Sequence, residues 1–179
     1  LIGLKKGDEV ILPSQTHVAT AHSIEITGAK PIFVDSDEDN TGNISIKKIK
    51  KKNNNKTKAI CVVHFLGKPV DMGQILKLSK KYNLYLVEDC ALALGAKFKD
   101  KHVGTYGDFS AFSFYPAKHI TTADGGMLGI KKKIFYDKAK KIKAFGVDKR
   151  FQERKVPGDY DVKYLGINYR MDEIRSAMG

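Results

Sequence analysis

The sequence predicts an α/β protein in which helices cover both faces of a mostly parallel, mixed sheet, giving three αβα layers. Short apolar runs that are typical of strands alternate along the chain with segments whose apolar residues recur at helical spacing. One run, AICVVHF at 59–65, is apolar throughout, which is typical of a strand covered on both faces. The chain has 179 residues, a length that suits one domain with a buried core. Together these observations favour the layered α/β architecture.

Six strands are predicted, at 9–13, 31–35, 59–65, 84–89, 109–114 and 126–130. A helix should connect the first two strands and end near Gly28, because glycine readily adopts the left-handed conformation that closes helices. Asp71 should cap a helix in the segment 72–83, whose apolar residues lie on one face. The segment 131–143 is predicted as a helix with one apolar face, whereas the Lys/Asn-rich tract 47–58 is interpreted as low-complexity sequence.

Both ends of the sequence lie inside predicted structure. The chain begins at Leu1 and stops at Gly179, immediately after MDEIRSAM begins a helical pattern. No flexible linker and no internal repeat divides the sequence between these ends. We therefore expect one domain that is a fragment of a longer protein.

The positive charge of the chain is interpreted as solvated surface. Thirty-two Lys and Arg residues against 20 Asp and Glu residues give a formal net charge of +12. Only four of these basic residues are arginines, the residue that nucleic-acid-binding proteins favour for bidentate contacts. A basic nucleic-acid-binding domain is therefore a disfavoured alternative, and no nucleic-acid partner is expected.

Cysteine content and hydropathy favour a cytoplasmic protein. Cys61 and Cys90 lie in apolar runs and are too few for a disulfide framework, so reduced thiols are expected. No apolar stretch approaches the ~18–20 residues that a membrane span needs. No membrane partner is therefore expected.

A lysine beyond a predicted strand end is the first candidate for chemistry. The motifs GxGxxG, GxxxxGK[ST], HExxH and CxxC are absent, and the histidines lack metal-ligand spacing, so no metal is expected. Lys118 follows a strand that ends near Ser113, and ligands of open α/β sheets bind beyond the carboxyl ends of strands. A lysine held among apolar groups can form a Schiff base. From spacing alone, an ordinary surface lysine is an equally good interpretation.

The second candidate is the acid pair Glu88-Asp89 at the end of an apolar strand. Burying a carboxylate is costly unless its charge has a partner. One suitable partner is the protonated ring nitrogen of pyridoxal phosphate, which needs a carboxylate to remain cationic. Alternatively, both acids cap the next element or pair with nearby lysines. From these residues alone both interpretations remain open.

Together, Asp89 and Lys118 match the pattern of pyridoxal-phosphate enzymes of fold type I. Five blocks of the sequence resemble, in order, the DegT/DnrJ/EryC1/StrS family of sugar-nucleotide aminotransferases: residues 7–35, 62–72, 86–96, 103–128 and 165–174. The resemblance covers nearly the whole chain. It implies an aspartate-aminotransferase-like large domain with residues 1–179 as its central part. A phosphate-binding helix would then lie upstream of Leu1, and a small domain beyond Gly179.

The resemblance also implies roles for four residues. Lys118 would carry pyridoxal 5'-phosphate as a Schiff base and move the proton during transamination. Asp89 would hold the pyridinium nitrogen, and Ser113 would donate a hydrogen bond to the cofactor phosphate. Asn168 would reach the phosphate of the neighbouring subunit's cofactor, which implies a homodimer with shared active sites.

Two further cofactor-binding positions depart from the family pattern. His17 stands where the family usually has an aromatic residue that stacks on the pyridine ring, and an imidazole can also stack. By itself, a histidine here is more typical of a helix start. Leu92 stands where the family more often has glutamine near the cofactor's phenolic oxygen, and a leucine cannot form that hydrogen bond.

The function implied by the resemblance is transamination of a nucleotide-linked keto-deoxy sugar, with L-glutamate as amino donor, in amino-sugar and surface-polysaccharide biosynthesis. One alternative is a pyridoxamine-dependent sugar dehydratase, in which histidine typically replaces the lysine that this chain retains as Lys118. Another is a non-catalytic, cofactor-binding relative, against which the presence of both Lys118 and Asp89 argues.

Overall fold

A computed structural model describes residues 1–38, 41–149 and 151–179 and contains a six-stranded sheet. Its strands are β1 (Glu9–Pro13), β2 (Lys30–Val34), β3 (Thr57–Val63), β4 (Tyr85–Asp89), β7 (Phe109–Ser113) and β8 (Gly126–Ile130). A separate hairpin is formed by β5 (Lys97–Phe98) and β6 (Lys101–His102). The helices are α1 (Val18–Glu25), α2 (Ile46–Lys52), α3 (Met72–Tyr82), α4 (Lys133–Ile142) and α5 (Glu173–Met178), and short 3-10 helices span Phe65–Gly67 and Phe151–Glu153.

The strand order in the sheet is β2-β1-β3-β4-β7-β8. The first five strands in this order are parallel, and β8 runs antiparallel to β7. The carboxyl ends of the five parallel strands therefore meet at one side of the sheet, which we name the C-terminal edge. The predicted mostly parallel, mixed sheet is confirmed.

Two apolar clusters, one on each face of the sheet, form the core. Helices α2 and α3 cover one face, where Ile49 and Ile75 pack with strand residues such as Ile60. Helix α1 covers the other face, where Ile24 packs with residues such as Leu12. The three-layer αβα arrangement is therefore confirmed. Among the described residues, no helix has the length and apolar character needed to cross a membrane.

Most predicted elements lie within two residues of their observed positions. Asp71 caps α3, because its Oδ1 accepts a hydrogen bond from the Gln74 amide (3.0 Å). Helix α1 ends at Glu25, three residues before Gly28. The Gly28 amide donates to the Glu25 carbonyl, and its φ of +86° turns the chain towards β2.

The interpretation of 47–58 as low-complexity sequence is wrong for its first half. Ser45 caps α2 by accepting a hydrogen bond from the Lys48 amide (3.3 Å). Ile49 is fully buried against the sheet, whereas most of the lysines around it are exposed. One deeply buried residue in a short, Lys-rich helix is too weak a periodic signal to predict the helix from sequence.

The two cysteines are free and buried, in agreement with the prediction of reduced thiols. Burial raises the pKa of both the Cys61 and the Cys90 thiol, and nearby carboxylate charge adds to the effect. Both thiols are therefore protonated and unreactive at neutral pH.

Candidate functional site

The C-terminal edge of the sheet carries three of the predicted site residues. Asp89 is the last residue of β4, and Ser113 is the last residue of β7. Asp89 pairs with Ala111 in the parallel register, so the side chains of Asp89, Ala111 and Ser113 share one face of the sheet. Lys118 follows Ser113 in the loop between β7 and β8. A carboxylate, a hydroxyl and an amine thus belong to the elements of one edge.

The loop that carries Lys118 is closed by its own hydrogen bonds. The Phe114 carbonyl accepts from the Thr122 amide (3.1 Å) and from the Thr121 hydroxyl (3.0 Å). The Lys118 amide donates to the Tyr115 carbonyl (2.9 Å), which forms a turn. The Lys118 side chain is half-buried and forms no hydrogen bond or ion pair within the part of the chain that the structure describes. Its amine is therefore available to a ligand.

Neutral donors hold the Asp89 carboxylate. The Thr20 hydroxyl donates to Oδ2 (2.9 Å), and the Ala91 amide donates to Oδ1 (3.0 Å). Thr20 lies in the first turn of α1, where the helix dipole favours negative charge. Of the alternatives for Asp89, pairing with lysines is wrong for the described residues, whereas capping of the next turn is confirmed through Ala91.

Glu88 points to the opposite face of the sheet, where its hydrogen bonds stabilise the fold. The Gly104 amide donates to its Oε2 (2.7 Å), and the Tyr106 and Gly107 amides donate to Oε1 (2.8 and 2.6 Å). His64 Nε2 lies 3.2 Å from Oε2. Burial by itself would raise the pKa of Glu88, but the hydrogen bonds from His64 and the glycine amides outweigh burial and hold that pKa below its usual value. Glu88 is therefore a buried anion.

The ring contacts of His64 assign a proton to Nε2. Its Nδ1 accepts a hydrogen bond from the Val70 amide (3.1 Å), and a ring nitrogen that accepts carries no proton. The Nε2 proton therefore points at Glu88. The ligand atoms of His64, Glu88 and Cys90 lie within 4.8 Å of one another. These three residues are nevertheless unsuited to a metal ion, because both imidazole nitrogens are engaged and burial keeps the thiol protonated.

The remaining predicted site residues occupy three different positions. His17 caps α1, with its Nδ1 accepting a hydrogen bond from the Ala19 amide (3.1 Å), and its side chain is exposed. The helix-start interpretation of His17 is thus confirmed, and its stacking role stays a prediction. Leu92 is half-buried in the loop after β4. Asn168 is exposed, and its backbone bridges Ala144 just beyond α4 rather than a strand of the C-terminal edge.

The side chains at the C-terminal edge fit pyridoxal phosphate by their chemistry. The Lys118 amine, which has no partner among the described residues, can bond to a carbonyl carbon. Among the described residues, only neutral donors hold the Asp89 carboxylate, so its charge can pair with a protonated ring nitrogen. The Ser113 hydroxyl can donate to a phosphate oxygen. An amine, a carboxylate and a hydroxyl that suit the cofactor therefore belong to the elements of one edge.

A groove of about 960 Å³ lies elsewhere, between α4 and the segment after it. Cationic side chains that line it are Lys140, Lys141, Lys143, Lys149, Arg154 and Arg170. Asp89, Lys118 and Ser113 do not line it, and neither do the other predicted site residues. We therefore assign the candidate site to the C-terminal edge, where the complementary groups lie, rather than to this groove.

Sequence reasoning missed two partners of the acid pair, Thr20 and His64. The alternation of side chains along a strand could have predicted that Glu88 and Asp89 face opposite sides of the sheet. No local signal identifies the partners themselves, because His64 is 24 residues from Glu88 and Thr20 is 69 residues from Asp89.

Comparison with known sequences points to one family. The model described as the DegT/DnrJ/EryC1/StrS aminotransferase family matches residues 1–179. The GDP-perosamine synthase of Escherichia coli O157:H7 is 46% identical over 178 residues, which cover 99% of this chain and 47% of that protein. The chain spans about half the length of the curated relatives it matches.

Solved structures share the fold. The aminotransferase from Psychrobacter cryohalolentis has a TM-score of 0.92 at 36% identity and covers 99% of this chain and 46% of its own. A Streptococcus pneumoniae protein solved in a PMP form has a TM-score of 0.90 at 26% identity, covering 99% of this chain and 50% of its own. The PLP form of the same protein has a TM-score of 0.87.

Proposed function

Because the chain belongs to the DegT/DnrJ/EryC1/StrS aminotransferase family, we propose that the protein transfers an amino group from L-glutamate to a nucleotide-linked keto-deoxy sugar with pyridoxal 5'-phosphate as cofactor. The observation that carries the proposal is the C-terminal edge, with Asp89 and Ser113 on one face and, in the next loop, a Lys118 amine that has no partner among the described residues. The names of the relatives, such as GDP-perosamine synthase, support the substrate class. The structures solved in PMP and PLP forms support the cofactor.

Each residue of the C-terminal edge has a different role in the proposed reaction. Pyridoxal phosphate, when bound, supplies the electron sink and carries the amino group between donor and acceptor. Lys118 binds the cofactor through Nζ and, once released by substrate, moves a proton with the same atom. Asp89 keeps a proton on the pyridine nitrogen, and Ser113 Oγ donates to the phosphate. His17 stacks on the ring through its imidazole, whereas Leu92 supplies only an apolar contact.

We further propose a homodimer in which Asn168 binds the phosphate in the neighbouring subunit's site. The exposure of Asn168 supports this role, because its side chain is accessible to a second molecule. Residues 1–179 would form the central part of the cofactor-binding large domain, in keeping with the half-length match to the relatives. The product would serve amino-sugar and surface-polysaccharide biosynthesis. The free thiols favour the reducing cytoplasm.

The experiment that tests the proposal maps the lysine that binds the cofactor. The protein, expressed from its complete reading frame, is incubated with pyridoxal phosphate, reduced with borohydride, and analysed by peptide mass spectrometry. We expect a phosphopyridoxyl group on Lys118 and a visible absorbance that bleaches when L-glutamate is added. Lys118→Ala should lose both signals and turnover, whereas Lys97→Ala, at an exposed position on β5, should keep them. An unmodified Lys118 in folded wild-type protein would overturn the proposal.

A companion variant tests the role of the carboxylate. Asp89→Asn retains the size of the side chain but removes the charge that keeps the ring nitrogen protonated. We expect turnover to fall by about 10²–10³, the scale seen when one preorganised electrostatic contact is removed. A wild-type rate and a wild-type cofactor spectrum in this variant would withdraw the role assigned to Asp89.

A further inference from the structure

Two consecutive hydrogen bonds connect threonine hydroxyls at the start of α1 to the Asp89 carboxylate. Thr20 Oγ1 lies 2.9 Å from Asp89 Oδ2, and Thr16 Oγ1 lies 2.9 Å from Thr20 Oγ1. Thr20 is buried and Thr16 is half-buried, so solvent competes little for the inner contact. The two threonines stand four residues apart, one turn from each other at the helix start.

The chemistry of the Asp89 carboxylate decides which atom donates in each of these two hydrogen bonds. An ionised carboxylate can only accept hydrogen bonds, so Thr20 donates its single hydroxyl proton to Asp89. Thr20 has no second proton to offer, and Thr16 is therefore the donor to Thr20. Hydrogen bonds that point the same way polarise one another, which strengthens the contact to Asp89.

Neutral donors hold Asp89 without cancelling its charge. Ala91 and Thr20 each occupy one carboxylate oxygen, and each oxygen keeps a lone pair for a further donor. Within the described ranges of the chain, no lysine or arginine pairs with Asp89. A cation at this place would compete with a protonated ring for the carboxylate, whereas a hydroxyl orients the carboxylate and leaves its charge available.

We propose that Thr20 is a positioning residue that holds the Asp89 side chain in the orientation needed to contact the protonated ring nitrogen of the cofactor. Thr16 assists Thr20 by donating a hydrogen bond to its hydroxyl. The inference rests on the proposed function, because it takes Asp89 as the partner of that nitrogen. Without the Thr20 hydroxyl, the carboxylate loses the donor that holds Oδ2 and can rotate away from the ring. The ring nitrogen then loses its proton more readily.

The test compares Thr20→Val, which keeps the shape but removes the donor, with Thr20→Ser, which keeps the donor. Ser23→Ala is the matched control, because Ser23 donates to the Thr20 carbonyl in the same helix and not to Asp89. Each protein is expressed from its complete reading frame and loaded with pyridoxal phosphate labelled with 15N in the ring. The 15N NMR signal reports whether the ring nitrogen is protonated, which a merely structural role of Thr20 would not alter.

In Thr20→Val we expect the 15N signal to move towards the neutral-pyridine position and the reaction with L-glutamate to slow about tenfold, as the loss of a hydrogen bond to a charged group predicts. Thr20→Ser and Ser23→Ala should match the wild type. Thr16→Val should move the 15N signal in the same direction by a smaller amount. If Thr20→Val does not fold, the 15N signal of Thr16→Val tests the inference in its place. A wild-type 15N signal in Thr20→Val, or in Thr16→Val if that variant must decide, would overturn the inference. Wild-type protein that binds no cofactor at Lys118 would instead overturn the proposed function.

Discussion

Residues 1–113 and residues 114–179 differ in what holds them in place. In the described chain, every buried apolar side chain lies in the first region, between Val10 and Phe109. In the second region, large apolar side chains are exposed on β8 and within residues 156–178: Met127, Leu128, Val156, Val162, Leu165, Ile167, Tyr169, Ile174 and Met178. The first region thus has a core on both faces of the sheet, whereas the second has none of its own.

Backbone hydrogen bonds connect separate segments of the second region. The Phe145 amide donates to the Ile167 carbonyl (3.2 Å), and the Tyr169 amide donates to the Lys143 carbonyl (2.9 Å). Contiguous exposed apolar surface is a feature of sites that contact another molecule. The buried apolar side chains that stabilise the fold therefore lie in the first region, whereas the second region presents exposed apolar side chains, which the proposed dimer would cover.

The largest effect on stability is expected at the buried anion of the first region. Glu88→Gln places an amide NH2 group among three backbone N–H groups and the His64 Nε2–H, so donors face a donor. An amide nitrogen in place of either carboxylate oxygen leaves two of these four donors without an acceptor, and each buried donor left unsatisfied costs about 1–3 kcal/mol of unfolding free energy. Urea denaturation at neutral pH measures this loss. Glu25→Gln, an exposed change in α1, should cost nothing measurable.

The same residue predicts a pH dependence. The pKa of Glu88 is lower in the folded state than in the unfolded chain, so the unfolded state binds more protons and stability rises with pH. The contribution of Glu88 is complete above about pH 4.3 and is lost as pH falls through its folded pKa. Thermal unfolding between pH 3 and 7 should therefore show a flatter profile for Glu88→Gln. Parallel profiles for wild type and variant would contradict the buried anion.

Two leucine substitutions compare the regions directly. Leu86 is 1% exposed in β4, and Leu165 is 98% exposed in the second region. Leu86→Ala should cost about 2–5 kcal/mol of unfolding free energy through lost burial and a cavity. Leu165→Ala should stay within about 0.5 kcal/mol. Both values come from urea denaturation. Equal losses in the two variants would mean that the second region has a core of its own.

The smallest effect is expected at the helix caps. Asp71 caps α3 and Asp172 caps α5 through the same kind of hydrogen bond to a backbone amide. Asp71→Ala should cost about 1 kcal/mol of unfolding free energy, and Asp71→Asn should retain most of the stability. Asp172→Ala should leave the global unfolding midpoint unchanged, because α5 packs no buried side chain into the core. A shifted midpoint in Asp172→Ala would show that α5 unfolds together with the first region.

The strands were more predictable than the helices between them. Apolar runs such as 59–65 were sufficient, because a strand covered on both faces is apolar along its whole length. Helix α2 was missed, since Ile49 is its one deeply buried residue and the exposed lysines around it mask the pattern. The hairpin of β5 and β6 was also not predicted, because two-residue strands leave no periodic signal.

The alternation of apolar runs with helical patterns was enough to predict the α/β class and the order of the strands along the chain, and the residues at the strand ends were enough to show a resemblance to one enzyme family. What each acid of the pair contacts depends instead on the tertiary structure. Glu88 is held by the loop at 104–107 and by His64, whereas Asp89 is held by Thr20 from a helix 69 residues away. Such partners depend on how helices and loops pack against the sheet. Periodicity reports which face a residue takes, but it does not report which distant donor packs against that face.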